Sequence, residues 1–232
     1  MAELADALDS GSSRGNSVDV RVILAAFMKS ALIANGQIDD LQKLLPLIQE
    51  HDRIVAVDGG LKYCKKGNFS PVSFVGDFDS CPKDLFQEFS KLPSTSLQSD
   101  KDQTDLEVAI ENEWKQGAKE ITLFGAWGNR IDHSLTNALL LGRYPNKLRL
   151  QTETELLFAI QGKVKISPKK GQTISLIPLF GPAKGIHTTG LKWELKNGRL
   201  DYGFIGISNI SLTKEVVIEI EEGILLVCQG LI

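Results

Sequence analysis

Cysteine is scarce: the 232 residues hold three, Cys64, Cys81 and Cys228. They lie far apart and form no Cys-x-x-Cys pair, which argues against a zinc ribbon or a disulfide scaffold and for a reducing, cytoplasmic setting. Long apolar runs are missing too. The best candidate, Val22-Ile23-Leu24-Ala25-Ala26-Phe27, falls well short of the ~20 residues that cross a bilayer, and no small-residue cleavage site follows it. Neither a membrane span nor a secretory signal is expected. There is no basic surplus: 26 Lys plus Arg stand against 29 Asp plus Glu, a net charge of -3, so a nucleic-acid partner is not expected. No Gly-x-x-x-x-Gly-Lys-Ser/Thr loop occurs, and no Gly-x-Gly-x-x-Gly follows the first strand. That excludes a P-loop enzyme and weakens a dinucleotide oxidoreductase. The histidines help little: His51 reads as a solvated helix end, and His133 as a group that orients its neighbours rather than a base.

What is present is an ordinary globular composition with a clear change of texture near residue 150. Residues 1–30 read as a mobile leader or upstream extension, with Met28 as a candidate initiator. From 31 to 150, strand-like runs (Ala31–Asn35, Arg53–Asp58, Val72–Gly76, Glu120–Gly125, Lys147–Thr152) alternate with helical patterns (Asp39–Glu50, Pro82–Ser90, Thr104–Gln116, Asp132–Arg143). This predicts a Rossmann-like α/β domain with a mostly parallel sheet and flanking helices. Thr104-Asp105-Leu106-Glu107 has the capping-box spacing, and Leu106, Ala109, Ile110 and Trp114 form an apolar helical stripe. From 151 to 232, short strands punctuated by Gly and Pro, among them Gly190–Leu195 and Leu200–Phe204, predict an all-β sandwich.

The aspartates carry the chemistry. Asp58 ends a strand before Gly59-Gly60, Asp77 and Asp79 end the next, Asp100, Asp102 and Asp105 crowd one turn, and Asp132 follows the Gly125–Ile131 loop. Ligands bind beyond the carboxyl ends of parallel strands, so four segments aim carboxylates at one edge. Clustered carboxylates repel, and a hard divalent cation shared with substrate phosphates resolves the conflict. Gly59-Gly60, Gly125 and Gly128 leave room for backbone to approach phosphate, and Arg130 offers either a fork to phosphate oxygens or a salt bridge to Asp132.

These residues resemble a known family. Asp58-Gly59-Gly60, Gly76-Asp77-Phe78-Asp79-Ser80, Asp102-Gln103-Thr104-Asp105-Leu106-Glu107 and Gly128-Asn129-Arg130-Ile131-Asp132-His133 occur in the order seen in thiamine pyrophosphokinases. Thr188-Thr189-Gly190-Leu191-Lys192-Trp193 and Ser208-Asn209 are similar to that family as well. The resemblance spans residues 31–232 and implies a homodimer that moves the pyrophosphoryl group of ATP to the hydroxyethyl oxygen of thiamine, leaving AMP. It also implies active sites built between the α/β domain of one subunit and the β domain of the other. On this resemblance Asp77, Asp79 and Asp105 hold Mg²⁺, with Asp58 and Asp102 nearby. Thr104, Gly128, Asn129, Arg130 and Asp132 position the nucleotide phosphates or the reacting hydroxyl. Trp193, Ser208 and Asn209 take thiamine, whose cationic thiazolium suits an indole face; a sandwich-core position is the other reading of Trp193. The base is one of Asp58, Asp105 and Asp132. The chain departs from the family at Asn129, where a second glycine is common, and at Leu61-Lys62, where Ala-Asn is common.

Three rival classes are a pyrophosphokinase with a pterin acceptor, a metal-dependent phosphohydrolase and a silent ligand-binding protein. The β-domain motifs argue against the first. The lack of an aspartate near Asn35-Gly36 argues against the second, and the intact acidic set against the third.

Overall fold

The computed structural model describes residues 28–76, 85, 88–89, 91–96, 103–203 and 206–231. Its backbone follows the alternation of the sequence: β1 (Lys29–Ile33), α1 (Leu41–Gln49), β2 (Arg53–Val57), α2 (Leu61–Gly67), β3 (Ser73–Gly76), β4 (Ser94–Ser96), α3 (Asp105–Lys115), β5 (Glu120–Phe124), α4 (Ile131–Arg143) and β6 (Leu148–Gln151). The strands that follow are β7 (Glu155–Ile160), β8 (Lys163–Ile166), β9 (Thr173–Ile177), β10 (Ala183–Thr189), β11 (Gly198–Leu200), β12 (Gly206–Ile210), β13 (Val216–Glu219) and β14 (Leu225–Gly230).

Strands β1 to β6 pair in parallel in the order β6-β5-β1-β2-β3-β4, so the chain winds outward from β1 in both directions. Alternation along β1 supplies both faces of this layer. Leu32 packs with Leu106, Ala109 and Ile110 of α3 and Leu140 and Leu141 of α4. Ala31 and Ile33 pack with Leu41, Leu44 and Ile48 of α1 and Leu61 and Cys64 of α2. At the amino ends of the strands, Glu113 is buried and accepts from Ser30 Oγ at 2.6 Å and from Arg53 Nε at 2.9 Å.

The β part does not form a sheet separate from the first. β7 turns antiparallel onto β6, and one ten-stranded sheet runs β12-β9-β14-β7-β6-β5-β1-β2-β3-β4. A second sheet, β11-β10-β13-β8, faces its β12-β9-β14-β7 end. Ile160, Ile174, Leu176, Ile186, Ile218 and Val227 fill the space between them, which makes this end a sandwich. The fold is α/β plus β-sandwich.

Several local expectations shift. Lys29 and Ser30, read as the end of the leader, open β1. The expected strand Gly190–Leu195 is a turn, because Gly190 takes φ +84° and Leu191 makes only an isolated bridge to Ser211. The strand before it is β10, and of the expected Leu200–Phe204 only Leu200 lies in a strand, as the last residue of β11, with Phe204 outside the described residues. His51 is not a solvated helix end: Nδ1 meets Leu47 O at 2.9 Å and Nε2 meets Thr122 Oγ1 at 2.9 Å. Burial pulls its pKa below the ordinary 6.5, against the opposing bonds from the Leu47 and Ile48 backbone. The expected helix Pro82–Ser90 falls largely outside the described residues, as does Cys81. Cys64 and Cys228 are free thiols that burial pushes up to about 12 and about 11. No helix among the described residues is long and apolar enough to cross a membrane.

Candidate active site

The winding reverses between β1 and β5, where ligands of open α/β sheets bind. The loops leaving these strands are pressed together. A Cβ at Gly36 would stand 2.3 Å from Gly125 O. Tyr63 of α2 fixes the β1 loop, its hydroxyl donating to Gly36 O at 2.7 Å and accepting from Ile38 N–H at 3.2 Å. Beside this contact lies a crevice of about 280 Å³ lined by Gln37, Asp39, Trp127, Gly128, Gln151 and Glu153. Sequence reading had singled out only Gly128 of these, because the lining comes from three separate loops.

The Gly125–Arg130 loop is held by the first turns of α4. Gly128 N–H donates to Ser134 Oγ at 3.0 Å, Ser134 Oγ donates to Arg130 O at 2.9 Å, and Asn137 Nδ2 donates to Ala126 O at 2.8 Å. Asn129 sits at φ +54°, the left-handed conformation that glycine adopts freely and asparagine tolerates. Arg130 is turned onto Asp132, Nε to Oδ1 at 3.1 Å and Nη2 to Oδ2 at 2.5 Å. This is the salt-bridge alternative. Arg130 thereby holds the Asp132 carboxyl below its ordinary range, and both side chains remain open to solvent.

Of the expected metal ligands, Asp77 and Asp79 lie outside the described residues, as does Asp102. Asp58 lies against Gly76, the last residue of β3: it sits at φ +50° directly after β2, and a Cβ at Gly76 would stand 2.6 Å from its Oδ1. A non-glycine residue at positive φ stores strain of the kind found at functional sites. Asp105 is the first residue of α3 and half-buried. Among the described residues no three His, Cys, Asp or Glu side chains gather into a metal site. Thr104 has a structural task as well: its hydroxyl accepts from Glu107 N–H at 3.3 Å and Glu107 Oε2 accepts from Thr104 N–H at 3.0 Å, completing the capping box. Burial pushes the Glu107 carboxyl up, but bonds from Thr104 and from Arg143 at 2.5 Å outweigh it and lower the pKa. Gly59 and Gly60 serve packing rather than an open cradle, since a Cβ at Gly60 would stand 1.9 Å from Ile33 O.

At the sandwich end, Trp193 is 55% exposed, which excludes the core reading. Its N–H donates to Asn209 Oδ1 at 3.1 Å, and Asn209 Nδ2 donates to Trp193 O at 2.7 Å. Ser208, at φ +59°, donates its N–H to Ser175 Oγ at 3.0 Å. Thus Trp193, Ser208 and Asn209 form one group. The indole already attracts a cation, with Lys192 Nζ 4.4 Å from its centroid.

A switch-point crevice with Asp58 at a neighbouring strand end, joined to a sandwich that presents an open indole, defines an α/β-plus-β ligand-binding protein. Residues 44–152 match the family model for the thiamin pyrophosphokinase catalytic domain, and residues 162–225 match that for the thiamin pyrophosphokinase vitamin B1 binding domain. The chain belongs to the thiamine pyrophosphokinase family, enzymes that move the pyrophosphoryl group of ATP to thiamine. It is 29% identical over 207 residues to the thiamine pyrophosphokinase of Bacillus subtilis, covering 86% of this chain and 97% of that one. It is 26% identical over 221 residues to thiamine pyrophosphokinase 2 of Arabidopsis thaliana, 82% of each chain. The crystal structure of the Bacillus subtilis enzyme superposes with a TM-score of 0.78 at 26% identity, over 87% of this chain and 98% of that one. That from Geobacillus thermodenitrificans gives 0.79 at 27% identity, over 88% and 97%.

Proposed function

We propose that this chain catalyses the family's transfer with Mg²⁺, as a cytoplasmic homodimer whose two active sites each draw on both subunits. The hydroxyethyl oxygen of thiamine attacks the β-phosphorus of ATP, the bond from that phosphorus to the α,β-bridging oxygen breaks, and AMP leaves. A carboxylate takes the hydroxyl proton. Asp58, Asp105 and Asp132 are the candidates; Arg130 lowers the basicity of Asp132 while the two are paired, and releases it on moving to phosphate. Oxygen donors alone suit a hard cation, and Asp77, Asp79 and Asp105 would hold Mg²⁺, which neutralises phosphate charge during transfer. The crevice beside Gln37 and Gly128 receives the nucleoside end. Arg130 swings from Asp132 to phosphate, and Trp193 stacks on thiamine beside Ser208 and Asn209.

The observation that carries the shared site is the spacing along the sheet. Strand β12, which bears Ser208 and Asn209, is seven strand positions from β2, which leads to Asp58. At ~4.8 Å per position this is about 34 Å along the sheet, more than a vitamin-sized molecule spans, which supports a partner's sandwich as the source of the thiamine group. Apolar surface suited to such a partner is exposed on both parts: Ile131, Leu135 and Leu139 along α4, and Tyr202, Ile207 and Leu212 near the thiamine group.

Two measurements test this reading. AMP release from ATP and Mg²⁺ has to depend on thiamine; release without thiamine, or with a pterin in its place, refutes the acceptor. Mixing Asp105→Asn with Trp193→Ala protein after unfolding and refolding together, and assaying at thiamine far below the wild-type KM, where the raised KM leaves Trp193→Ala nearly inactive, should restore about a quarter of wild-type activity, because each mixed dimer carries one intact site. A mixture as inactive as its parents refutes sharing.

A further inference from the structure

The first turn of α2 holds a cation that the roles above leave unused. Lys62 Nζ donates to Asn35 Oδ1 at 2.7 Å and to Asn35 O at 3.4 Å, and lies 4.7 Å from the Tyr63 ring centroid. Other cations in the neighbouring loops have acidic partners: Lys43 is 3.8 Å from Asp40, and Arg130 is paired with Asp132. Lys62 has only neutral acceptors and an aromatic face among the described residues. Partial burial pulls its pKa below the ordinary 10.5. The ammonium is thus held by Asn35, partly dehydrated, with no carboxylate bonded to it among the described residues.

Its place in the fold gives that charge a use. Asn35 follows β1, Asp58 follows β2, and a Cβ at Gly59 would stand 2.4 Å from Asn35 Oδ1. Lys62 therefore stands over the ends of β1 and β2, between the crevice at β1 and β5 and the end of β3 at Gly76. From β5 to β3 is three strand positions, about 14 Å. A nucleotide seated in the crevice and extending toward the end of β3 lays its phosphates across this interval.

We propose that Lys62 is a polyphosphate-binding residue, its ammonium oriented by Asn35 to take a non-bridging oxygen of the triphosphate between the crevice and the end of β3. Arg130 then has a second cation working with it from the opposite loop. The inference rests on the ATP-dependent reading above, so its test uses a probe that needs no thiamine and no turnover.

Binding of magnesium tripolyphosphate to the full chain, followed by isothermal titration calorimetry, is the measurement. Lys62→Gln keeps an N–H donor for Asn35 and removes the charge; its Kd should rise about tenfold, and Lys62→Arg should stay within about threefold of wild type. At 1 M salt, where the screening length is ~3 Å, the difference between wild type and Lys62→Gln should shrink to about twofold or less. Equal Kd values for wild type and Lys62→Gln, a salt-independent difference, or no tripolyphosphate binding by wild type overturns the proposal. A loss confined to Lys62→Met, with Lys62→Gln unaffected, makes Lys62 only a tether for Asn35 and overturns it as well. Failure of thiamine-dependent AMP release with tripolyphosphate binding intact strikes the proposed function and leaves this assignment standing.

Discussion

Replacing Trp193 by alanine isolates the thiamine end of the site. The indole is 55% exposed and its face already holds the Lys192 ammonium 4.4 Å from the centroid. At that exposure a flat cationic ligand can reach the ring, on the face away from Lys192 or by displacing its ammonium. A cation over an indole contributes about 0.5–2 kcal/mol and offset stacking of flat rings about 0.5–1.5 kcal/mol. Together they predict a loss of about 1–3 kcal/mol, or roughly a 5- to 150-fold rise in the thiamine KM. The substitution is clean locally, because both bonds from Asn209 go to the Trp193 backbone and survive it. Initial rates of AMP release, with thiamine varied at saturating Mg·ATP and then the reverse, give both constants. An ATP KM that rises by the same factor, or a fall in kcat with the thiamine KM unchanged, refutes stacking.

The remaining predictions concern metal, core, pH and backbone. Asp79→Asn should abolish turnover and leave the unfolding midpoint unchanged, and near-normal AMP release by that variant would remove Asp79 from the metal set. Arg53→Met leaves the buried Glu113 carboxylate with Ser30 Oγ as its remaining side-chain donor and should cost about 3 kcal/mol in urea unfolding; a loss below about 1 kcal/mol contradicts a buried ion pair. His51 has a folded pKa below its ordinary 6.5, so its contribution to stability is complete above pH 6.5. That contribution is lost as pH falls from there through the folded value, where the unfolded chain binds the proton more readily. His51→Gln should flatten the denaturant midpoint between pH 6.5 and its folded pKa, and an unchanged slope counts against it. Asn129→Ala, at φ +54°, should destabilise by about 1 kcal/mol, with Asn129→Gly near neutral; equal losses in the two variants contradict a backbone requirement.

The parallel layer was legible because its signals are local. Apolar runs closed by Asn35, Asp58 and Gly125 mark β1, β2 and β5, and the Thr104–Glu107 spacing marks the start of α3 to the residue. What escaped has local causes too. The helix Leu61–Gly67 starts directly after two glycines and carries three lysines in seven residues, so its apolar face is only Leu61, Tyr63 and Cys64. β10 and β12 are each broken by a register shift, at Lys184/Ile186 and at Gly206/Asn209, which breaks the two-residue alternation. The continuous sheet follows from β14, last in the chain, slotting between β7 and β9, a long-range pairing that periodicity does not encode.

The site divides along the same line. A residue at a strand end declares its place through its neighbours, and Asp58, Gly128 and Asn129 stand where their strands deliver them. The glycines beside them mislead, because sequence does not say what approaches the missing side chain. At Gly36, Gly59 and Gly60 it is the protein's own Gly125, Asn35 and Ile33. Nor does a charged residue reveal whether its partner is internal. Arg130 and Lys62 look alike as cations beyond strand ends, yet one is matched by a carboxylate two residues on and the other by neutral oxygens and an aromatic ring. That difference decides which charge is already available to an incoming anion, since releasing Arg130 first requires breaking a bidentate ion pair. On the proposed assignment, an ammonium with no carboxylate partner among the described residues draws the triphosphate in, and the paired guanidinium joins once phosphate replaces Asp132.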